Sequence, residues 1–399
     1  DARHVGSIIS CCEMRNSKMR VLMIKLSSIE AITSSMFRTL AIARGLVESG
    51  NEVDFLCIPM GNIPKKASER DFINEINVIR TGNDKAFSAI IDNNRNGGGS
   101  QFIKQILRKI WHSFSVYDHT YAIAKKLSID VLPVTEYDLV ISSSDPKSSH
   151  VAVEQLKKQG LKYKRWIQYW GDPLALDITL HTIYPRFILK RIERKLIKDC
   201  DKVIYVSPIT LKEQKKLFGS YAEKMTFLPI AYMEAEIYEE TTNSKFVIGY
   251  YGNYSSSVRN LLPFYQACVE MSDRVEAAIY GDSNITLEET DNVKIYPRGI
   301  VDEHKKIADL EVCVLNSSGT QIPGKLYHLA GTNKKVLIIL DGEHSDEIKE
   351  YLSSFKRFYM CENDKDGIMT EIEKIMDDET QFSPLEELKY SEISKRFIE

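Results

Sequence analysis

The chain reads as two successive series of short apolar runs alternating with stretches of helical spacing. The first run, 20–26 (RVLMIKL), has strand length and few polar positions, the pattern of a strand buried on both faces of a parallel sheet. A serine-rich loop follows it. Residues 36–49 then carry Phe37, Leu40, Ala41, Ala43, Leu46 and Val47 at helical spacing, ended by Gly50. The second run, 52–58 (EVDFLCI), completes a strand–helix–strand unit whose crossover is expected to be right-handed. Further strands are predicted at 138–143, 165–170, 202–206 and 225–228, with helices over 102–127, 147–160, 184–199 and 208–218. The composition of 92–100 (DNNRNGGGS) predicts a flexible surface loop.

A polar, acidic segment, 234–242, separates this series from a second one that begins at Lys245. There, strands at 246–252, 275–281, 293–297, 311–315 and 336–340 alternate with helices over 260–271 and 302–308, and with helices starting at Pro323 or Gly324 and at Ser345. Two such runs predict an α/β protein with two Rossmann-like, doubly wound domains facing a central cleft, over 19–240 and 245–383. The tail, 384–399, is helical in pattern and is expected to cross back to the first domain. Residues 1–18 lack the apolar stretch of a signal peptide and are expected to be a disordered leader or tag, with Met19 the natural start.

Composition narrows the class. The chain has 399 residues, 43% apolar and 27% charged, which fits a soluble globular protein with material for two cores. A net charge of −3 gives no reason to expect nucleic acid. Seven cysteines without a C-x-x-C pair suggest a reducing, cytoplasmic setting with neither disulfides nor a metal site. No run of about 18 apolar residues predicts a spanning helix. The predicted helix over 184–199 is basic on one side, through Arg186, Lys190, Arg191, Arg194, Lys195 and Lys198. It is either a solvated cationic face or an element in peripheral contact with a membrane.

The candidate chemistry concentrates at 315–331 (LNSSGTQIPGKLYHLAG), a strand end, a small-residue loop and a helix start. Pro323 suits the beginning of a helix, Gly324 lets the backbone approach a ligand, and Lys325 adds a positive charge in the first turn. A lysine there runs against the helix dipole unless an anion faces it, so a phosphate would account for the stretch. An ordinary connection with a solvated lysine would account for it as well. A second loop, 249–260 (GYYGNYSSSVRN), offers Gly252 for close approach and Arg259 for a phosphate. Two such loops in one domain suggest a diphosphate ligand. Gly281 lies in a further strand-end turn, and Gly299, Ile300 and Val301 lie in a turn that could present backbone groups to a base. In the first domain, Asp145 and Asp172 stand at strand ends, where a carboxylate can bind sugar hydroxyls or act as a base. Trp170 beside Asp172 suits a sugar face. Both aspartates also fit common Asx–Pro turns. No Walker A, H-E-x-x-H or G-x-S-x-G pattern occurs.

These residues resemble a GT-B glycosyltransferase, closest to the retaining family-4 type. The stretch Ile322-Pro323-Gly324-Lys325-Leu326-Tyr327-His328-Leu329-Ala330 is similar to the pattern P-S-K-(L/I/V)-(Y/F)-E. Residues 246–267 resemble the family's donor loop, and 139–150 with 165–173 (RWIQYWGDP) resemble an acceptor-domain pattern ending in W-(I/V)-x-(D/E)-(F/W/Y)-R-D-P. The resemblance implies transfer of a sugar from a nucleoside-diphosphate sugar to a glycan or lipid-linked acceptor, with retention, in cell-surface polysaccharide or glycoconjugate synthesis. Stabilisation of the leaving diphosphate by Lys325, Arg259 and helix N-terminal amides leads to the expectation that no metal or cofactor is required, and the net charge to the expectation of no nucleic-acid partner. Lys325 and Arg259 would bind the donor diphosphate and act with Asp172 in catalysis. Gly252, Asn253, Gly281, Gly299, Ile300, Val301, Pro323, Gly324, Tyr327 and His328 would complete the donor site, and Ser34, Ser35, Trp170 and Asp172 the acceptor site. Three positions depart from the pattern: His328 stands in place of a glutamate, Gly171 in place of the arginine of R-D-P, and Asn253 where many members carry an arginine. A sugar-nucleotide 2-epimerase shares this two-domain plan, and His328 leaves open a non-catalytic nucleotide-sugar binding protein.

Overall fold

The apolar runs assemble into two separate parallel sheets in the computed structural model, which describes residues 18–31, 33–59, 71–82, 116–177, 180 and 182–399. The first contains β1 (Arg20–Ser28), β2 (Glu52–Ile58), β3 (Asn77–Arg80), β4 (Glu136–Ser143), β5 (Lys162–Trp170), β6 (Lys202–Tyr205) and β7 (Met225–Phe227), in the order β3-β2-β1-β4-β5-β6-β7. The second contains β8 (Phe246–Tyr251), β9 (Val275–Tyr280), β10 (Val293–Tyr296), β11 (Leu310–Val314), β12 (Lys335–Leu340) and β13 (Tyr359–Glu362), in the order β10-β9-β8-β11-β12-β13. In each sheet the winding reverses beside the first strand, between β1 and β4 and between β8 and β11. Loops leaving the carboxyl ends of strands at such a reversal form a crevice.

Helices cover both faces: α1 (Ser34–Glu48), α2 (Tyr121–Lys126), α3 (Ser148–Lys158), α4 (Arg186–Ile197) and α5 (Pro208–Leu217) on the first sheet, and α6 (Leu262–Glu270), α7 (Asp302–Ile307), α8 (Gly324–Leu329), α9 (Ser345–Ser353) and α10 (Lys365–Asp377) on the second. Burial explains the continuous apolar runs: Val21 through Ile24 are at most 1% exposed because β1 is central and covered on both faces. The last helix, α11 (Tyr390–Ile398), returns to the first half and packs along α1. The Tyr390 hydroxyl donates to Glu48 (2.7 Å), Arg165 Nη1 donates to the Ile398 carbonyl (2.7 Å), and Gly45 gives room for Ser394. One apolar cluster runs from Met36 and Leu40 through Ile230 to Leu326 and Leu329, so the two halves share a core.

The structure differs from the expectations in a few elements. β3 and β13 are short, half-exposed edge strands whose mixed sequences carry no clear period. Ser34 and Ser35 belong to the first turn of α1 rather than a loop, because Thr33 caps it by accepting from the Met36 amide (3.2 Å). The predicted loop at 92–100 and the predicted helix up to residue 115 lie outside the described residues, as does the predicted leader up to residue 17.

Candidate functional site

The loops after β8 and β11 are laced together. The Ser317 amide donates to the Val258 carbonyl (2.8 Å), and Arg259 Nη2 donates to Asn316 Oδ1 (2.9 Å). Arg259 Nη1 donates to the Asn253 carbonyl (3.0 Å), which also accepts from the Tyr250 hydroxyl (3.3 Å). Lys325 comes to the same place from α8: its Nζ lies 4.9 Å from the Tyr250 ring centroid and 5.4 Å from that of Tyr251, and donates to the Val312 carbonyl (3.3 Å). Among the described residues neither cation has a carboxylate bonded to it: Lys325 lies over the Tyr250 and Tyr251 rings, and Arg259 shares the Asn253 carbonyl with the Tyr250 hydroxyl. Burial draws the Lys325 ammonium down to about 8, with Arg259 adding to the effect; Cys313 and the buried Glu311 pull it back up. Glu311 is fully buried, and neither of its oxygens has a hydrogen-bond partner.

Around these cations, the Asn253 side chain accepts from the Asp282 amide (3.1 Å), tying the β8 loop to the β9 loop. A Cβ on Gly281 would lie 2.1 Å from the Gly252 carbonyl, so that approach requires a glycine. Gly252 itself has no protein atom closer than 3.6 Å to a built Cβ, which leaves its face open. Val301 packs beside Tyr251, Tyr280 and Tyr296, while Ile300 is 68% exposed and Gly299 is exposed. His328 stands edge-on to Phe37 of the first half (centroids 5.9 Å apart). Burial first, and then Lys305, bring its imidazole down to about 4, so it is neutral at pH 7.

Across from this site, the first half gathers a charged cluster at the carboxyl ends of β1, β4 and β5. Lys25, a buried lysine inside the apolar run of β1, donates to the carbonyls of Ser144 (3.3 Å) and Asp145 (2.8 Å). Arg38, 5% exposed, donates to the Ser144 carbonyl and lies 5.4 Å from the Tyr169 ring centroid. Lys147 bridges Asp145 and Asp177, both at 2.9 Å. Burial pushes Asp145 up, but Lys147 and Arg38 outweigh it and hold the carboxyl at about 2. Asp172 goes the other way, to about 7, because burial and the charge of Asp145 outweigh Lys147. Ser35 joins the cluster through the Asp145 carbonyl (3.3 Å). Sequence reasoning singled out Asp145 and Asp172 but missed Lys25, Arg38 and Lys147. The available signal was a lone lysine in an otherwise apolar strand and an arginine among the apolar positions of α1.

Four expected ligand contacts are corrected. Trp170 presents no face for a sugar: it is fully buried, stacked on His150 (4.4 Å) and bonded through its indole to Gln168 (3.0 Å). Tyr327 is also fully buried, its hydroxyl shared between the Val206 carbonyl (3.4 Å) and Tyr351 (3.3 Å), because α8 turns Leu326 and Tyr327 into the shared core. Gly324 makes room for the protein rather than a ligand, since a Cβ there would lie 2.3 Å from Ser34 Oγ and 3.2 Å from Ile230. Ser34 is accordingly a contact between the halves. As expected, α8 starts at Gly324, with Pro323 as its N-cap, but it has only six residues. A helix that short adds little dipole, so side-chain charge dominates at this site.

No family model and no curated protein matches the chain. Solved structures do resemble it. The catalytic domain of starch synthase IV from Arabidopsis thaliana, bound to ADP and acarbose, has a TM-score of 0.62 at 10% identity, covering 95% of this chain and 95% of that one. Anabaena HepE in complex with UDP and glucose gives 0.55 at 12% identity, covering 95% and 94%. A glycosyltransferase from Rickettsia africae gives 0.53 at 13% identity, covering 95% and 92%. At such identities the likeness is one of fold, and the chain has the two-domain GT-B fold.

Proposed function

We propose that this GT-B chain is a cytoplasmic glycosyltransferase that moves a sugar from a nucleoside-diphosphate sugar to a glycan or lipid-linked acceptor. The observation that carries the reading is that Arg259 and Lys325 both come to Tyr250, Lys325 from a helix whose Gly324 and His328 touch the first half. A diphosphate bridging them would supply the missing countercharge. As the glycosidic bond to the donor breaks, negative charge grows on the departing diphosphate, and these two fixed cations stabilise it. Neutral His328 can offer one nitrogen as a donor or acceptor to a ribose hydroxyl. The acceptor lies against Asp172, whose raised carboxyl is suited to orient or take the proton of an attacking hydroxyl near pH 7.

Support also comes from the neighbours described with UDP or ADP bound. Retention, the family-4 subclass and a role in surface polysaccharide synthesis rest on the sequence resemblance. Diphosphate stabilisation by side chains gives the reaction no need of a metal or cofactor.

The test is a thermal-shift screen with UDP-, GDP-, ADP- and CMP-sugars, followed by incubation with the binding donor. One donor class should raise the unfolding midpoint, and the Lys325→Ala and Arg259→Ala variants should lose that shift. Conversion of donor alone to an isomer would favour the epimerase reading. Binding with neither transfer nor donor hydrolysis would favour the binding-protein reading. A midpoint unmoved by every nucleotide sugar would overturn the proposal.

A further inference from the structure

Helix α4 keeps one side in the core and leaves the other uncovered among the described residues. Leu189, Glu193, Leu196 and Ile197 are buried, whereas Phe187, Arg191, Arg194 and Lys195 are exposed. Those four fall on one stripe at spacings of three and four, and Lys198, just past the helix, continues it. Phe187 is 71% exposed, and Ile183, just ahead of the helix, is 58% exposed. Glu193 is buried and accepts from the Ala175 amide (2.7 Å), Asp199 faces Lys157 (3.9 Å), and Glu154 of α3 lies within reach of the Lys195 charge without an ion pair to it. Among the described residues, no ion pair involves Arg186, Lys190, Arg191 or Arg194.

An apolar tip continuous with an unpaired cationic stripe has a definite chemical complement. The cations call for a negatively charged surface, and the exposed phenylalanine and isoleucine call for an apolar layer just beneath that charge. A polyanion such as RNA meets the first requirement only. An anionic bilayer meets both, because apolar side chains enter the headgroup boundary while lysine and arginine stay at the acidic headgroups. No helix among the described residues is long and apolar enough to cross a membrane, so the contact is interfacial.

The position of the stripe gives it a purpose. β5 ends at Trp170 on the edge that carries Asp172, and α4, which begins at Arg186, packs against the residues that follow Asp172. Lys147 holds Asp177 (2.9 Å), and Glu193 of α4 accepts from the Ala175 amide (2.7 Å). Ile183 and Phe187 therefore stand on the acceptor side of the first half. We propose that α4 seats this chain on an anionic lipid bilayer through Ile183 and Phe187, with Arg191, Arg194, Lys195 and Lys198 on the headgroups, so that the Asp172 edge meets an acceptor anchored in lipid. The acceptor clause rests on the proposed transfer; the docking itself does not.

The experiment is flotation of the full chain with vesicles of phosphatidylcholine alone and of equimolar phosphatidylcholine and phosphatidylglycerol. Binding to the mixed vesicles only is expected. The double variant Ile183→Ser, Phe187→Ser keeps every charge and should bind about tenfold more weakly. Arg191→Gln should weaken binding about fivefold, the worth of one cation at the surface. All these side chains are exposed, so unchanged melting of the variants certifies their folding. Failure of the chain to float with mixed vesicles would overturn the proposal. So would vesicle binding insensitive to the serine substitutions, or capture by RNA in preference to mixed vesicles. Donor-induced thermal shifts, measured in parallel without lipid, report the transferase reading separately.

Discussion

The guanidinium of Arg38 occupies the space that any side chain at Gly171 would need: a Cβ there would lie 2.1 Å from Arg38 Nη1. Gly171 aligns with the arginine of the R-D-P pattern that the sequence resembles, and here a guanidinium reaches this position from α1. The Gly171→Ala variant has to displace Arg38 from the Ser144 carbonyl and from the neighbourhood of Asp145 and Asp172. Transfer to acceptor should fall by about tenfold to a hundredfold. The donor-induced thermal shift should be unchanged, because the displaced group lies in the other half of the molecule. Steady-state kinetics with acceptor varied, beside the thermal shift, checks both halves of the expectation.

Lys325 must be protonated to stabilise a departing diphosphate, and its ammonium lies near 8 in the free protein. The profile of kcat/KM should therefore fall as pH rises through about 8. A bound diphosphate favours the charged form, so the fall in kcat should come at higher pH than the fall in kcat/KM. Lys325→Arg stays charged throughout and should lose that basic limb while keeping measurable activity. Lys325→Ala should cost about 10²–10³ in kcat.

Most of the fold was readable because the central strands are covered on both faces. Runs such as RVLMIKL and KVLIIL can be little else when helical periods flank them. The edge strands β3 and β13 escaped because burial no longer selects their residues. The site was legible to a lesser degree. Arg259 and Lys325 could be nominated as cations in small-residue loops, but their convergence depends on Tyr250, which looks like any other strand residue in sequence. Trp170, Tyr327 and Gly324 were misread for a common reason. Each has chemistry that suits a ligand, yet folding had already used it, in the indole bond to Gln168, the shared core and the contact with Ser34. Arg38 was legible only as an arginine among the apolar positions of α1, and its role was hidden because it depends on a glycine 133 positions away (171 − 38).

The contact between Gly324 and Ser34 predicts a steric coupling between the halves. Gly324→Ala places a methyl 2.3 Å from Ser34 Oγ and 3.2 Å from Ile230 Cδ1, so the two halves must separate slightly or rearrange. A loss of about 1–3 kcal/mol is expected from such overpacking. Ser34→Gly in the same chain removes the nearer obstacle and should restore part of it. A double-mutant cycle from denaturant unfolding measures the coupling, and simple additivity would show that the two residues do not touch in solution.

Asp172 makes stability depend on pH in a direction that can be worked out. Its carboxyl is raised to about 7 in the folded chain, by burial first and by Asp145 next, against about 3.9 when unfolded. The folded state thus holds the proton more tightly, and the group favours folding fully below pH 4. That contribution is lost as pH rises from about 4 through about 7, where the folded form must ionise beside Asp145 and Asp177. Asp172→Asn never ionises. Its melting midpoint should stay near that of the parent below pH 4, begin to exceed it by pH 5, and exceed it by about 2 °C or more at pH 8. Thermal melts of both proteins across that range provide the check. A midpoint difference that stayed flat with pH would mean that Asp172 carries an ordinary carboxylate, and with it would go the case for Asp172 as the group that handles the acceptor proton near neutrality.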